Sequence, residues 1–470
     1  MKCVLIATLL AATAVAALAS PTPNVFTYPD GSKGSHNLKQ TGAGYPACDP
    51  GVEQWSGYFE VNATTNKNYF YWAFGPQSRR ADAPVILWMT GGPGCSSSLA
   101  LLVENGPCHI SLVDGEMYNN PWAWNKDAYL IYIDQPAGVG FSYSDKAGYD
   151  HNEKEVAEDM YQFLQAFYNA HSTLLKNELF VVGESYGGHF APATAHQVWA
   201  NNKAGNKGPR INIQGLAVGN GLTVPSVQYQ SYVPFVDGYC KEKIGHTCVS
   251  DAAIQSMNAS LPTCLALINQ CMATKDASVC GQTSQVCNGG QMAPYEQTGL
   301  NVYDIRKPCI GQLCYNFSAP IAFMNRPDVQ TTLGVKPQVW KDCNMEVNGM
   351  FGVDWFQTLG DDVSEMLNSG EVRVMIYAGD LDFIVNWIGN QAWTKDLTWA
   401  QKAAFNAAPN RQFNLQSGQP AADIRSVAGS TFASQFSFIR VFNGGHMVPM
   451  DQPEAIYQIL MPWVQNKNWF

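Results

Sequence analysis

The segment Gly183-Glu184-Ser185-Tyr186-Gly187-Gly188 places a serine among glycines, between a strand-like run, Leu179 to Val182, and a helix-like run that begins near His189. That is the setting of a nucleophile elbow. A sharp turn lifts the hydroxyl above a parallel sheet, and the flanking glycines allow a backbone path that a β-carbon would obstruct. A Gly-x-Ser-x-Gly pentapeptide is a weak signal by itself in a chain with 41 glycines, so its partners must decide.

In α/β-hydrolases the nucleophile is followed along the chain by Asp or Glu and then by His. Four histidines follow Ser185. His189 and His196 fall on the helix after the elbow, and His246 sits in a cysteine-dense stretch. His446 occupies Asn443-Gly444-Gly445-His446-Met447-Val448-Pro449, a loop directly after the strand-like Phe438 to Phe442. A general base belongs on such a short strand-end loop. For the acid, the strand-like Val372 to Ala378 opens into Gly379-Asp380-Leu381-Asp382, and position alone leaves Asp380 and Asp382 as equal candidates to orient the imidazole. A second glycine cluster, Thr90-Gly91-Gly92-Pro93-Gly94-Cys95-Ser96-Ser97, follows the strand-like Val85 to Met89. It suits an oxyanion hole, with the N–H groups of Gly92 and Tyr186 as donors, each contributing about 3 kcal/mol to a developing oxyanion. No Gly-Lys-Ser/Thr follows the cluster, which disfavours a nucleotide loop.

These residues resemble the motif series of the serine carboxypeptidase family, the relatives of carboxypeptidase Y and cathepsin A. The resemblance is carried by Thr90 to Ser97, by Ile133-Asp134-Gln135-Pro136-Ala137-Gly138-Val139-Gly140-Phe141-Ser142-Tyr143, by Gly183 to Gly188, by Tyr377 to Asn390 and by Gly444 to Pro449. It spans the chain from about Tyr45 onward and implies an α/β-hydrolase fold: a mostly parallel central sheet covered by helices, with a disulfide-rich cap insertion. By position it implies Ser185 as nucleophile, Asp382 rather than Asp380 as the acid, and His446 as base. It also implies that Thr90, Gly91, Glu104 and Glu184 bind the terminal carboxylate of a peptide. Trp88, Tyr186 and Met447 are candidates for the pocket wall. Two carboxyls that share a proton can donate to a third carboxylate, and crowding like charges raises their pKa values, so activity is expected to favour acidic pH.

Two departures from the family pattern stand out. Asn is frequent in the family where this chain has Thr90, and carboxypeptidase Y-like members carry a thiol where this chain has Val385. Sensitivity to thiol reagents through that position is therefore not expected. The implied reaction is release of single C-terminal residues from peptides and proteins with a free C-terminus, through an acyl-enzyme and with no cofactor or metal. An acyltransferase on the same scaffold, a lipase-like esterase and a protective binding protein for other lysosomal enzymes are the competing readings.

The 470 residues, 46% of them hydrophobic, can bury a large core and by length alone allow up to about three domains. A net charge of −10 without a basic stripe argues against nucleic acid as a partner. Met1-Lys2-Cys3, the apolar Val4 to Leu18 and the small-residue Ala17-Leu18-Ala19 read as a cleaved signal peptide over residues 1–19. No later run reaches about 18 apolar residues, so stable membrane insertion is not expected. Sequons at Asn62, Asn258 and Asn316 agree with the secretory route, to a lysosome, a vacuole or the exterior. Removing Cys3 leaves twelve cysteines, an even set for an oxidising compartment. The family resemblance suggests Cys95 with Cys343, Cys240 with Cys248, Cys264 with Cys287, Cys271 with Cys280 and Cys309 with Cys314, which leaves Cys48 and Cys108 for each other. A homodimer is left open.

The elements that must hold these groups follow from the hydrophobic pattern. A Pro/Gly/Ser-rich stretch, residues 20–44, reads as a leader or pro-segment. Gly57 to Val61 and Tyr69 to Phe74 read as an antiparallel hairpin. Val85 to Met89 and Tyr129 to Ile133 read as strands, and Val156, Met160, Phe163, Leu164 and Phe167 have helical spacing. This alternation indicates a mostly parallel sheet covered on both faces. The pattern places the first part of the core at residues 45–223, an insertion of little regular periodicity that caps the site at 224–345, and the second part of the core at 346–470.

Overall fold

The computed structural model describes residues 24–27, 33–41, 48–49, 51–205, 208–311, 313–428 and 435–470; the expected signal peptide lies outside them. Among the described residues, twelve strands form one sheet. In chain order they are β1 (Asn24–Thr27), β2 (Lys33–Thr41), β3 (Gln54–Asn62), β4 (Lys67–Phe74), β5 (Val85–Thr90), β6 (Tyr129–Ile133), β7 (Leu179–Glu184), β8 (Ile213–Gly219), β9 (Arg373–Gly379), β10 (Arg411–Asn414), β11 (Pro420–Val427) and β12 (Phe436–Val441). Their spatial order is β1-β2-β3-β4-β6-β5-β7-β8-β9-β12-β11-β10. From β6 to β12 the neighbours are parallel, and antiparallel strands flank them on both sides.

The parallel strands are buried on both faces, so they read as continuous apolar runs. Alternate residues feed opposite cores. Val85, Leu87 and Met89 join one, and Ile86 and Trp88 join the other. The first core is closed by helices α1 (Glu153–Ala170) and α2 (Gly187–Ala204), through residues such as Phe163, Phe167 and Phe190. Helix α1 begins at Asn152, whose side chain accepts the Glu155 N–H at 3.1 Å.

Two expectations change. The leader stretch contributes β1 and β2 to the sheet, with β2 running antiparallel to β3 from His36 opposite Phe59 to Thr41 opposite Gln54. Its polar composition hid this, because strands at the margin of a sheet are held by backbone hydrogen bonds and need no apolar run. The insertion, in turn, is strongly helical, with α3 (Asp251–Thr274) packed on α4 (Ala277–Cys287). Only Met257, Cys264, Ile268 and Cys271 of α3 are buried. Half of its inward stripe is therefore cysteine, and Cys264–Cys287 and Cys271–Cys280 staple the two helices. The remaining bridges are Cys48–Cys108, Cys95–Cys343, Cys240–Cys248 and Cys309–Cys314. The insertion has its own apolar cluster, which includes Tyr229, Phe235 and Ile268 and takes in Leu381 and Phe383 from the loop after β9. Among the described residues, no helix is long and apolar enough to cross a membrane.

Candidate active site

The site forms where the parallel strands end together. Thr90 lies opposite Glu184, Glu184 opposite Gly219, and Gly379 opposite Val441. Loops after β5, β7, β8, β9 and β12 therefore emerge at one edge, the usual place for a ligand in an open parallel sheet.

Ser185 sits between β7 and α2 with φ of 63°, a left-handed conformation that costs a non-glycine residue free energy. Its N–H donates to Gly219 O at 3.1 Å, and its carbonyl accepts the N–H groups of Gly188 and Leu222, each at 2.9 Å. Neighbouring glycines let the turn close. A β-carbon on Gly183 would fall 2.2 Å from Gly187 O, and one on Gly91 would fall 2.3 Å from Tyr186 N. The second contact shows how tightly the loop after β5 is pressed against the residue after Ser185. It brings Gly92 and Tyr186 to the wall of one cavity with Ser185.

His446 follows β12. Its Nδ1 lies 2.8 Å from Asp382 Oδ2, and its backbone N–H donates to Tyr303 O at 2.8 Å. The Asp382 carboxylate is fully buried, and its remaining capacity is filled by Asn220 Nδ2 at 2.8 Å and by the N–H groups of Ile384 and Val385 at 3.1 and 3.2 Å. Asp380 is also fully buried but has other work. It pairs with Lys243 Nζ at 2.8 Å and Arg440 at 3.4 Å, and it accepts the Asn443 N–H at 2.8 Å. Of the two candidates left by sequence position, the structure brings Asp382 to the imidazole.

Glu104 and Glu184 lie at the same cavity, 2% and 3% exposed, and each carboxyl acts on the titration of the other. Burial pushes Glu104 up to about 7, against the Glu184 hydrogen bond and the nearby His446. Burial and the Glu104 charge hold Glu184 well above the usual carboxylate range. Oε2 of each has no hydrogen-bond partner in the structure. Buried polar atoms without a partner, on residues that line a cavity, leave hydrogen-bonding capacity unused there.

The cavity, of about 200 Å³, is lined by Ser185, His446, Thr90, Glu104, Glu184, Tyr186 and Met447, with aromatic walls from the cap that include Tyr229, Tyr232 and Tyr315. Val385 is also on its wall. Trp88 corrects an expectation, since it does not line this cavity. It is fully buried, packs edge-on against Trp124 with centroids 5.3 Å apart, and donates Nε1–H to Thr90 Oγ1 at 2.8 Å. It supports the wall residue two positions on. Gly91 is likewise absent from the wall itself, closed off by Tyr186 and Glu184 backbone atoms. The sequon residues Asn62, Asn258 and Asn316 are all exposed.

Sequence reasoning missed Asn220 and Tyr303. Asn220 also has positive φ, and its Oδ1 accepts the Gly379 N–H at 2.9 Å, so it ties the loop after β8 to the loop that carries Asp382. Its signal was present in Gly219-Asn220-Gly221, a third glycine-flanked polar residue at a strand end. Tyr303 comes from the cap and its ring lies 5.0 Å from that of His446; nothing in its local sequence marks it.

A serine nucleophile candidate, a buried Asp–His pair and two buried carboxyls thus lie at one cavity. The model of the serine carboxypeptidase family matches residues 46–466. The chain belongs to that family. Among its relatives, serine carboxypeptidase-like 47 of Arabidopsis thaliana is 37% identical over 92% of this chain and 82% of its own length. Carboxypeptidase Y homolog A of Sclerotinia sclerotiorum is 38% identical over 88% of this chain and 73% of its own. In fold, the chain is similar to KEX1ΔP, a prohormone-processing carboxypeptidase from Saccharomyces cerevisiae, with a TM-score of 0.73 at 23% identity, covering 92% and 91% of the two chains. This serine carboxypeptidase is thus an α/β-hydrolase that acts on peptide bonds.

Proposed function

We propose that this serine carboxypeptidase releases single C-terminal residues through an acyl-enzyme and works best at acidic pH. Ser185 Oγ attacks the last peptide carbonyl while His446 takes its proton. Asp382 fixes the imidazole with Nε2 toward the serine and stabilises the imidazolium that forms. The N–H groups of Gly92 and Tyr186 receive the oxyanion. His446 then returns the proton to the leaving amine, and water hydrolyses the acyl-enzyme by the same route reversed. Thr90 and the Glu104–Glu184 pair, with the Gly91 backbone behind them, hold the substrate's free carboxylate one residue beyond the scissile bond.

The carrying observation is the buried Glu104–Glu184 pair, both carboxyls raised above the usual range, in one cavity with Ser185 and His446. An esterase would have no use for it, whereas a terminal carboxylate is the group such a pair can receive. The six disulfides support a compartment on the secretory route. The deciding experiment is labelling of Ser185 by a fluorophosphonate, followed by comparison of an N-blocked dipeptide with its C-terminal amide. Strong preference for the free acid is the expected result, and equal rates for acid and amide would reject the assignment.

A further inference from the structure

The residue after the nucleophile is held by more than its backbone. Tyr186 is buried, and two rings stack on its own: His189 of α2, with centroids 4.5 Å apart and planes 11° from parallel, and Trp355, 5.4 Å away at 28°. At the tip of the ring the hydroxyl donates to Asp354 Oδ2 at 3.1 Å. Asp354 and Trp355 belong to one short helical turn, Asp354–Phe356, so a single segment supplies both a stacking ring and an acceptor. That turn is tied to the cap, because the Trp355 indole N–H donates to the Tyr229 hydroxyl at 3.1 Å. Asp354 is itself buried, and Glu153, the first residue of α1, is buried near it. Burial, and then the Asp354 charge, push the Glu153 carboxyl well above the usual carboxylate range; burial raises Asp354 too, against the pull of His189. A phenylalanine ring would meet the packing at position 186 equally well. The hydroxyl and its acceptor add direction, and they do so at the cost of placing carboxyl groups in the core.

We propose that Asp354 is a positioning residue for the oxyanion hole and acts through the Tyr186 side chain: by anchoring the hydroxyl it fixes Tyr186 Cα, and with it the direction of the backbone N–H that meets the developing charge. The inference rests on the Ser185 mechanism above, in which that N–H is a donor. A hydrogen bond weakens steeply as the hydrogen leaves the line to its acceptor. A donor that is already aimed spends nothing on reorganisation while the charge forms. Rotation of the backbone at Tyr186 would have to carry the ring with it, and a ring held by stacking and at its tip resists that rotation. Asp354 touches neither substrate nor reacting atoms in this scheme.

Tyr186→Phe removes the anchor and keeps the ring. For an N-blocked dipeptide, kcat per fluorophosphonate-titrated site is expected to fall on the order of tenfold, less than for outright loss of an oxyanion donor, with KM little changed. Affinity for the corresponding peptide aldehyde, whose adduct with Ser185 puts an oxygen in the hole, should fall by the same factor. Asp354→Asn keeps an acceptor for the hydroxyl and should stay near wild type in both readouts. Asp354→Leu has a similar shape without the acceptor and should match Tyr186→Phe. The double variant should be no slower than either, because both changes remove one contact. A merely structural contact would lower the melting temperature and leave kcat per titrated site and aldehyde affinity where they were. That result for Tyr186→Phe would overturn the proposal, and so would losses that multiply in the double variant. If Asp354→Leu does not fold, Tyr186→Phe and Asp354→Asn still decide. A wild-type enzyme that neither reacts with the fluorophosphonate nor binds the aldehyde would instead strike the Ser185 mechanism itself.

Discussion

Trp88 donates its indole N–H to the hydroxyl oxygen of Thr90 at 2.8 Å, from the same face of β5 two residues away. A threonine oxygen occupied as an acceptor keeps its own proton to give. Thr90 opens onto the cavity, so in the proposed clamp its hydroxyl proton is the one free to meet the substrate's carboxylate.

Thr90→Val keeps the shape and removes the donor. Loss of a hydrogen bond to a charged group costs about 1.5–3 kcal/mol, so KM for peptide acids should rise roughly 10- to 100-fold, with kcat nearly unchanged. Thr90→Ser should behave as wild type. Equal KM values for the wild type and the valine variant would remove Thr90 from the clamp.

Asp382 and Asp380 are separable by kinetics. Asp382→Asn leaves the imidazole without its orienting charge and should lower kcat by about four orders of magnitude. Asp380→Asn should leave kcat, measured per fluorophosphonate-titrated site, within about tenfold. Its cost falls on stability, because Lys243 and Arg440 lose their buried counter-charge. Melting curves alongside kcat will show which variant suffers which loss.

That pair also shows where the sequence runs out. Ser185 and His446 could be found because the turns that present them need glycines, which are visible in one dimension. Asp380 and Asp382 are two residues apart on the same loop, and both are fully buried. What distinguishes them is a cation on the cap and one on β12 for the first, and an imidazole for the second. Trp88 was misplaced for a related reason. An aromatic at a strand end reads as wall or core equally well, and only the sheet's covering on that face, Trp124 among it, decides. Helix α3 escaped because cysteine holds two of its four buried positions, and its apolar period is too sparse to register.

All twelve cysteines among the described residues are in disulfides, and the cavity wall at position 385 is a valine with no thiol to react. A mercurial in several-fold excess should leave native activity within about 20% of the untreated enzyme, since a thiolate is the reactive form and none is present among the described residues. Thiol titration of the native protein should find none. Inactivation with uptake of one mercurial per chain would contradict both statements.

The carboxyl pair makes substrate binding depend on pH in a direction that can be worked out. Burial raises both groups, Glu104 to about 7 and Glu184 well above the ordinary carboxylate range, so at pH 5 the pair holds protons to donate to the incoming carboxylate. As pH rises through about 7 Glu104 loses its proton, a donor disappears, and a buried negative charge faces the incoming one. KM for a peptide acid should therefore be lowest near pH 5 and climb steeply through 7. The amide of the same peptide lacks the charge that is repelled, so its KM should be high at pH 5 and nearly flat over the range. Glu184→Gln keeps a donor at every pH and should flatten the peptide-acid profile. Parallel KM profiles for acid and amide would show that the pair does not hold the terminal carboxylate, and two buried carboxyls beside the nucleophile would then need another explanation.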